Sequence, residues 1–173
     1  MKKISFRHDV LPLKNSLYRL ALRITLDSAE AEDIVQETMI KVWNRREEWD
    51  TIESVEAYCY TVCRNLSIDR TRTPAAATLP IDAAISRTQA DASPEADPAA
   101  AAERRDRLDT IRKIMSGLPE KQRTAMHLRD FEGMSYKEIA AVMNISEEQV
   151  KVSIFRARQT IKRIFVKTEQ YGL

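Results

Sequence analysis

Basic side chains concentrate near the C-terminus of this 173-residue sequence, in a pattern suited to binding phosphate groups. Positions 149–167 hold six Lys or Arg residues and no Asp or Glu. Apolar residues recur among them at helical spacing, at Val150, Ile154 and Ala157. One helix would then bury an apolar stripe and present a basic face. Such a helix fits the major groove of DNA and neutralises its phosphates.

A second charged stretch has the opposite sign. Positions 27–37 hold five Asp or Glu residues and no Lys or Arg. Because the net charge of the whole chain is only +2, the separation of the two signs is the informative feature. It predicts two different macromolecular partners, one of them basic and the other a nucleic acid.

Residue types that carry catalysis or bind metals occur without a functional pattern. Cys59 and Cys63 lie one helical turn apart, which indicates core thiols in a reducing compartment, and His8 and His127 are far apart. Gly-rich phosphate loops, nucleophile elbows and His-Glu-x-x-His motifs do not occur. We therefore expect a chain that is not an enzyme, with no catalytic residue, metal site, cofactor or small-molecule substrate.

The elements that position these charges are predicted to be all α-helical, in two small domains. Residues 74–102 contain twelve Ala and four Pro, with a net charge of −3. This composition predicts a flexible, extended acidic linker between an N-terminal domain, 1–73, and a C-terminal domain, 103–173. Such a linker is long enough for the domains to pack on each other and cover their DNA-reading surfaces.

Three apolar stripes predict a three-helix bundle in the N-terminal domain. We expect Trp43 and Tyr58 to be in its core and Tyr60 to face nucleic acid. The stripes are Leu13, Leu17, Leu20, Ala21 and Ile24; Val35, Met39, Val42 and Trp43; and Val55, Tyr58, Cys59, Val62 and Leu66.

The C-terminal domain contains the pattern of a helix-turn-helix. Ser135 with Glu138, and Ser146 with Gln149, each have the spacing of a capping box that begins a helix. Asn144 lies between them and tolerates the left-handed conformation that ends a helix. A helix striped by Leu108, Ile111 and Met115 and stopped at Gly117 precedes this motif, and Pro119 is predicted at the first position of the next helix.

With these motifs in place, the sequence resembles the extracytoplasmic-function group of bacterial RNA polymerase sigma factors over nearly its whole length. Residues 31–43 look like the family's region 2.2, and residues 57–70 are similar to its regions 2.3–2.4. Residues 118–128 and 136–146 resemble region 4, and residues 150–158 resemble its DNA-recognition helix. The motifs occur in the family's order, with the linker between them.

The resemblance implies a role for each charged helix. The acidic helix would dock on the β′ clamp helices of core RNA polymerase through Asp33, Gln36 and Glu37. The third helix would read the −10 promoter element, with Asn65 as the best candidate for contacting base or backbone and residues 49–54 as a specificity loop. Its predicted contact residues are Tyr60, Arg64, Asn65, Asp69 and Arg70.

The last helix would bind the −35 element of the promoter. Three positions depart from the family's pattern, because Asn144 replaces its usual Gly and Val152-Ser153 replaces its usual Ser-Arg. The outward residues predicted to contact DNA are Glu148, Gln149, Lys151, Val152, Phe155, Arg156 and Arg158.

The resemblance also implies further partners: the β subunit of the polymerase, and an anti-sigma factor that holds the chain inactive, commonly at the membrane. The linker would thread toward the RNA exit path as a mimic of nucleic acid, or serve as a passive tether. We expect a monomer when free. We expect cytoplasmic localisation, because the N-terminus shows no apolar signal segment and the sequence has no apolar run of ~20 residues.

Two other classes of protein fit part of the pattern. A stand-alone helix-turn-helix regulator would use its N-terminal domain as a sensor or dimerisation bundle and would bind duplex DNA by itself. A purely helical adaptor would show no salt-dependent affinity for DNA. The acidic docking helix and the basic and aromatic residues of the third helix favour the sigma factor.

Overall fold

The computed structural model describes residues 3–72 and 97–171, and in these ranges the chain folds into helices without strands. None of the helices described is long and apolar enough to cross a membrane. We number them α1 Lys14–Thr25, α2 Ser28–Asn44, α3 Val55–Thr71, α4 Pro98–Ser116, α5 Glu120–Met126, α6 Tyr136–Met143 and α7 Glu147–Tyr171. Short 3₁₀ or π turns cover Phe6–Val10, Leu11–Leu13, Arg46–Thr51 and His127–Phe131.

Helices α1, α2 and α3 pack against one another as a bundle, as the three apolar stripes predict. Asp27 caps α2 by accepting hydrogen bonds from the backbone N–H groups of Ala29 and Glu30, at 3.0 and 3.2 Å. Ser54 caps α3 through the N–H of Ala57 at 3.1 Å. These caps satisfy N–H groups that a helix leaves unpaired in its first turn, so they fix where α2 and α3 begin.

The predicted linker ends earlier than expected, because α4 begins at Pro98 rather than after residue 102. Asp97 caps this helix by accepting from the N–H of Ala99 at 3.0 Å. Pro98 occupies the first helical position, where its missing N–H costs nothing, and four Ala residues continue the turn. Pro and Ala at 98–102 therefore start a helix. Residues 73–96, the rest of the predicted linker, lie outside the described residues.

Helices α6 and α7 form the predicted helix-turn-helix. Asn144 adopts the left-handed conformation, with φ 53° and ψ 49°, and ends α6. Both capping boxes are present: Ser135 with Glu138, and Ser146 with Gln149, exchange hydrogen bonds of 3.0 and 3.1 Å. Pro119 differs slightly from its predicted place, because it is the cap residue and α5 begins at Glu120.

One apolar core runs through both halves of the chain. Leu17, Leu20 and Ile34 of the N-terminal bundle belong to the same buried cluster as Leu128 and Ile139 of the C-terminal half. Helix α3 packs on α6, and α1 packs on α5. A smaller cluster, formed by Met115, Leu118, Met126, Ala157 and Ile161, joins α4 and α5 to α7. The two halves are therefore packed together in a closed arrangement.

Candidate protein and nucleic-acid interfaces

The predicted acidic docking residues lie on the outer side of α2. Ala31, Ile34, Val35 and Val42 turn the opposite side of the helix into the core. Asp33 and Gln36 are exposed and Glu37 is half-buried. We call Asp33, Gln36 and Glu37 the acidic face.

Arg70 of α3 reaches across to this acidic face. Its guanidinium donates to Asp33 at 2.7 Å, to Glu37 at 2.9 Å and also to Glu30. The carboxylates, with Asp33 contributing most, raise the pKa of Arg70 above its ordinary value. The sequence predicts that Arg70 contacts DNA. In this conformation its guanidinium pairs with three carboxylates, because they accept charge-assisted hydrogen bonds.

The other predicted −10 residues divide into covered and open side chains. Tyr60 is 2% exposed and lies in the core, so the prediction that it faces nucleic acid is wrong for the closed arrangement. Arg64 is buried and forms a bidentate pair with Glu120 of α5, with both N–O distances 3.1 Å. Asn65 and Asp69 remain exposed. The C-terminal half therefore covers one side of α3 and leaves the other side open.

The segment between α2 and α3, predicted as a specificity loop, is anchored by aromatic residues. Trp49 is buried, and its indole N–H donates to the carbonyl of Val42 at 3.1 Å. Trp43 was predicted to be in the core but is 45% exposed. It packs edge-on against Phe6 with ring centres 5.3 Å apart, under the guanidinium of Arg46. These contacts give residues 46–51 a defined turn whose shape the sequence does not predict.

Helix α7 presents the predicted DNA-contacting residues outward. Val150, Ile154 and Ala157 are buried, as the stripe requires. All seven residues predicted to contact the −35 element are exposed, and Phe155 and Val152 are 61% and 45% exposed. Arg158 is partly neutralised by Asp130, with Nε 3.1 Å from Oδ2. The closed arrangement therefore leaves this face of α7 accessible.

A polar network that no sequence motif predicted joins the two halves of the chain. Arg19 of α1 forms a bidentate pair with Glu132, at 2.8 and 3.1 Å. Arg23, one turn further along α1, donates from Nε to Nδ1 of His127 at 3.4 Å. The other ring nitrogen of His127 lies 3.4 Å from Glu132. The signal in the sequence was a His within the apolar stretch 125–128, at a position that a core helix would bury.

The environment of this network fixes its charges. Burial lowers the pKa of His127 from 6.5 to about 4, so the ring is neutral at pH 7 and accepts from Arg23. Burial alone would raise the pKa of Glu132, but its contacts with His127 and Arg19 outweigh burial and lower it to about 2. An ionised Glu132 and a neutral His127 are therefore the stable pair in the closed arrangement.

We expect acid to destabilise the closed arrangement through His127. The pKa of His127 is lower in the folded state than in the unfolded state. Its neutral ring therefore contributes fully to the free energy of unfolding above pH 6.5, and this contribution is lost as the pH falls toward 4. Between pH 7 and pH 5 the loss should be roughly 2 kcal/mol. Urea unfolding of the His127→Gln variant should show a correspondingly smaller change over this range. The exposed His8, replaced in the same way, serves as control, and an equal change in both variants would contradict the assignment.

Comparison with known proteins places this architecture in a family. Residues 10–76 match Sigma-70 region 2, and residues 108–161 match Sigma-70, region 4. The ECF RNA polymerase sigma factor SigM of Bacillus subtilis is 32% identical over 87% of this chain and 89% of its own length. The RNA polymerase sigma-H factor of Pseudomonas aeruginosa is 29% identical over 93% of this chain and 86% of its own.

Solved structures share the arrangement of the helices. The sigma factor RpoE of Bartonella quintana, solved in complex with the anti-sigma factor NepR, superposes with a TM-score of 0.69 at 20% identity. The superposition covers 92% of this chain and 96% of that one. CnrH, solved with the cytosolic domain of CnrY, gives a TM-score of 0.65 at 21% identity, over 94% and 88% of the two chains. With both sigma-70 regions matched in order and relatives aligned over most of its length, the chain belongs to the extracytoplasmic-function group of RNA polymerase sigma factors.

Proposed function

We propose that this sigma factor uses three separate surfaces: the acidic face of α2 for core polymerase, α3 for the −10 element and α7 for the −35 element. The observation that carries the proposal is the placement of an exposed acidic face and an exposed basic helix on opposite halves of one chain. Charge complementarity then assigns one surface to a basic protein partner and the other to DNA. The N-terminal half, residues 1–73, and the C-terminal half, which begins with α4 at Pro98, would serve as the two functional domains.

The acidic face is the proposed contact with the β′ clamp helices of the polymerase. Arg70 holds the carboxylates of Asp33 and Glu37 in a fixed array, which lowers the entropy cost of presenting them to a partner. On docking, basic groups of the polymerase would compete with Arg70 for the same oxygen atoms. Release of Arg70 would return a cation to the end of α3, where it was predicted to contact promoter DNA.

Reading of the −10 element would need the two halves to separate. Arg64 is engaged by Glu120 of α5, and Tyr60 is in the core. Asn65 and Asp69 are exposed already and could contact an unpaired base or its backbone. The closed arrangement is therefore proposed as the free, inactive form, and the polymerase-bound form as the open one.

Helix α7 is the proposed −35 reader. Replacing Lys151 and Arg156 together by Gln should remove two phosphate contacts and lower the affinity of the holoenzyme for promoter duplex roughly tenfold. The slope of log affinity against log salt should fall by about 2. Fluorescence anisotropy at several salt concentrations measures both quantities.

The matched control for this experiment lies on the same helix. Lys162 and Arg163 are exposed, carry the same charge and lie beyond the proposed recognition segment. Their replacement by Gln should leave the affinity within about twofold. Equal losses in the two double variants would show a general charge effect and contradict the placement of the −35 contact.

Three further features follow from this function. The chain would act by binding and would have no catalytic residue. It would work in the cytoplasm. An anti-sigma factor is the proposed inhibitor, because one solved structure of similar fold is the sigma factor RpoE of Bartonella quintana in complex with the anti-sigma factor NepR. Co-purification of a tagged copy from the native host, under conditions that preserve membrane complexes, tests for this partner.

A further inference from the structure

A small, partly enclosed cavity lies between the two halves of the chain. Its volume is about 30 Å³, room for roughly two water molecules, or for part of a small oxyanion presented from the open side. Three of its seven lining residues are arginines, Arg19 and Arg23 from α1 and Arg112 from α4. The complete lining is Arg19, Leu22, Arg23, Leu26, Arg112, His127 and Phe131.

The positive charge around this cavity is only partly balanced. Glu132 neutralises Arg19. Arg23 is buried, and its guanidinium contacts the neutral ring of His127 and the face of Phe131. Neither of these contacts supplies a negative charge.

Arg112 adds a second cation with an unmet hydrogen-bonding group. Its Nε is buried and has no hydrogen-bond partner among residues 3–72 and 97–171. Its nearest carboxylate, on Asp109, is 3.5 Å from Nη1. Burial first, and then the positive charges of Arg112 and Arg123, lower the pKa of Arg23 to about 10, and the opposing charge of Glu132 offsets only part of this effect. An anion bound here would accept a hydrogen bond from the buried donor and would neutralise part of the local positive charge.

We propose that this cavity binds a small oxyanion, and that Arg23 and Arg112 hold it as a clasp between the two halves of the chain. Guanidinium groups present paired N–H donors that match the oxygen atoms of a phosphate or a carboxylate. Because α1 belongs to one half and α4 to the other, the bound anion would stabilise the closed arrangement over the open one. The proposal does not depend on the assignment of the polymerase and promoter surfaces.

Thermal and urea unfolding of the full chain tests the proposal without polymerase or DNA. Potassium chloride is replaced stepwise by potassium phosphate, or in a second series by potassium acetate, at constant ionic strength. We expect a saturating stabilisation, with the unfolding constant reduced about tenfold when the anion exceeds its Kd tenfold. Saturation in the phosphate series alone assigns a tetrahedral oxyanion, and saturation in the acetate series assigns a carboxylate.

Two variants separate specific binding from a general salt effect. Arg112→Gln should lose the saturating stabilisation. Arg112→Lys keeps the charge but not the paired donors, so it should raise the Kd for the anion at least tenfold. Arg105→Gln removes an exposed charge from the same helix and should respond as the parent does. The absence of saturation in both series, or an undiminished response in Arg112→Gln, would overturn the proposal. Arg112→Lys carries the test if Arg112→Gln does not fold.

Discussion

Replacing Asp33 and Glu37 together by Lys is expected to weaken binding to core RNA polymerase by at least about a hundredfold. Both side chains lie on the outer side of α2, and each replacement converts an attraction to a basic partner into a repulsion. Arg70 would lose its ion pairs with Asp33 and Glu37. Because these pairs are partly exposed and each new Lys would face Arg70, the cost to folding should be about 1–2 kcal/mol. Biolayer interferometry with purified core enzyme measures the affinity.

The control for this experiment carries the same change in charge elsewhere. Glu47 and Glu103 are exposed acids outside the acidic face. Their joint replacement by Lys should alter the affinity by less than about threefold. Circular dichroism should show both double variants to be folded. Undiminished binding by the Asp33→Lys, Glu37→Lys variant would remove α2 from the proposed interface.

Glu132→Gln is expected to open the two halves of the chain. Glu132 is nearly buried and is shared by Arg19 and His127, so its replacement removes the negative charge that neutralises a partly buried cation. Breaking a fully buried pair costs 3–5 kcal/mol; because Arg19 is 35% exposed, we expect about 2 kcal/mol, or roughly thirtyfold in the closed-to-open ratio. Small-angle X-ray scattering should show a larger radius of gyration, and urea unfolding should show the lost stability.

Asp130→Asn is the matched control, two residues away. Asp130 pairs with Arg158, but both residues belong to the C-terminal half and both are exposed. This variant should lose less than about 1 kcal/mol and keep the compact scattering profile. An unchanged profile for Glu132→Gln would mean that the apolar core alone holds the halves together. In that case the polar network would have no part in closure.

Local patterns in the sequence predict the helix-turn-helix well. Capping boxes and a left-handed Asn are set by residues within four positions of one another, so Ser135, Asn144 and Ser146 identify the ends of α6 and α7 directly. The buried stripe of α7 follows from spacing alone because one side of that helix packs and the other is exposed. The same reasoning places the acidic face of α2.

Helix α3 is less predictable, because it is covered from two directions. One side packs in the N-terminal bundle and another packs on α6. A helix that packs on two neighbours buries a wide part of its surface. The spacing of apolar residues then does not reveal which residues at the margin of that surface are covered. Tyr60 is buried as a result. Trp43 has the opposite outcome, because its ring lies on Phe6 at the surface rather than in the core.

Contacts between residues far apart in sequence account for the remaining differences. The ion pair of Arg70 with α2 spans 37 residues and that of Arg19 with Glu132 spans 113. No local pattern encodes which acid a given Arg will meet. The polar network around His127 could be located only when α1 and the 127–131 turn were brought together by packing. Arg19, Arg23 and Glu132 lie outside every motif that carries the family resemblance, and only His127 lies within one.

Run-off transcription measures whether the chain directs core RNA polymerase to promoters. The purified chain is added to core RNA polymerase free of other sigma factors, with a library of genomic promoter fragments as template. We predict start sites that appear only when the chain is present and that vanish with the Asp33→Lys, Glu37→Lys variant but not with its Glu47, Glu103 control. No start sites, together with salt-sensitive binding of the chain alone to duplex DNA, would contradict this account and indicate a stand-alone regulator.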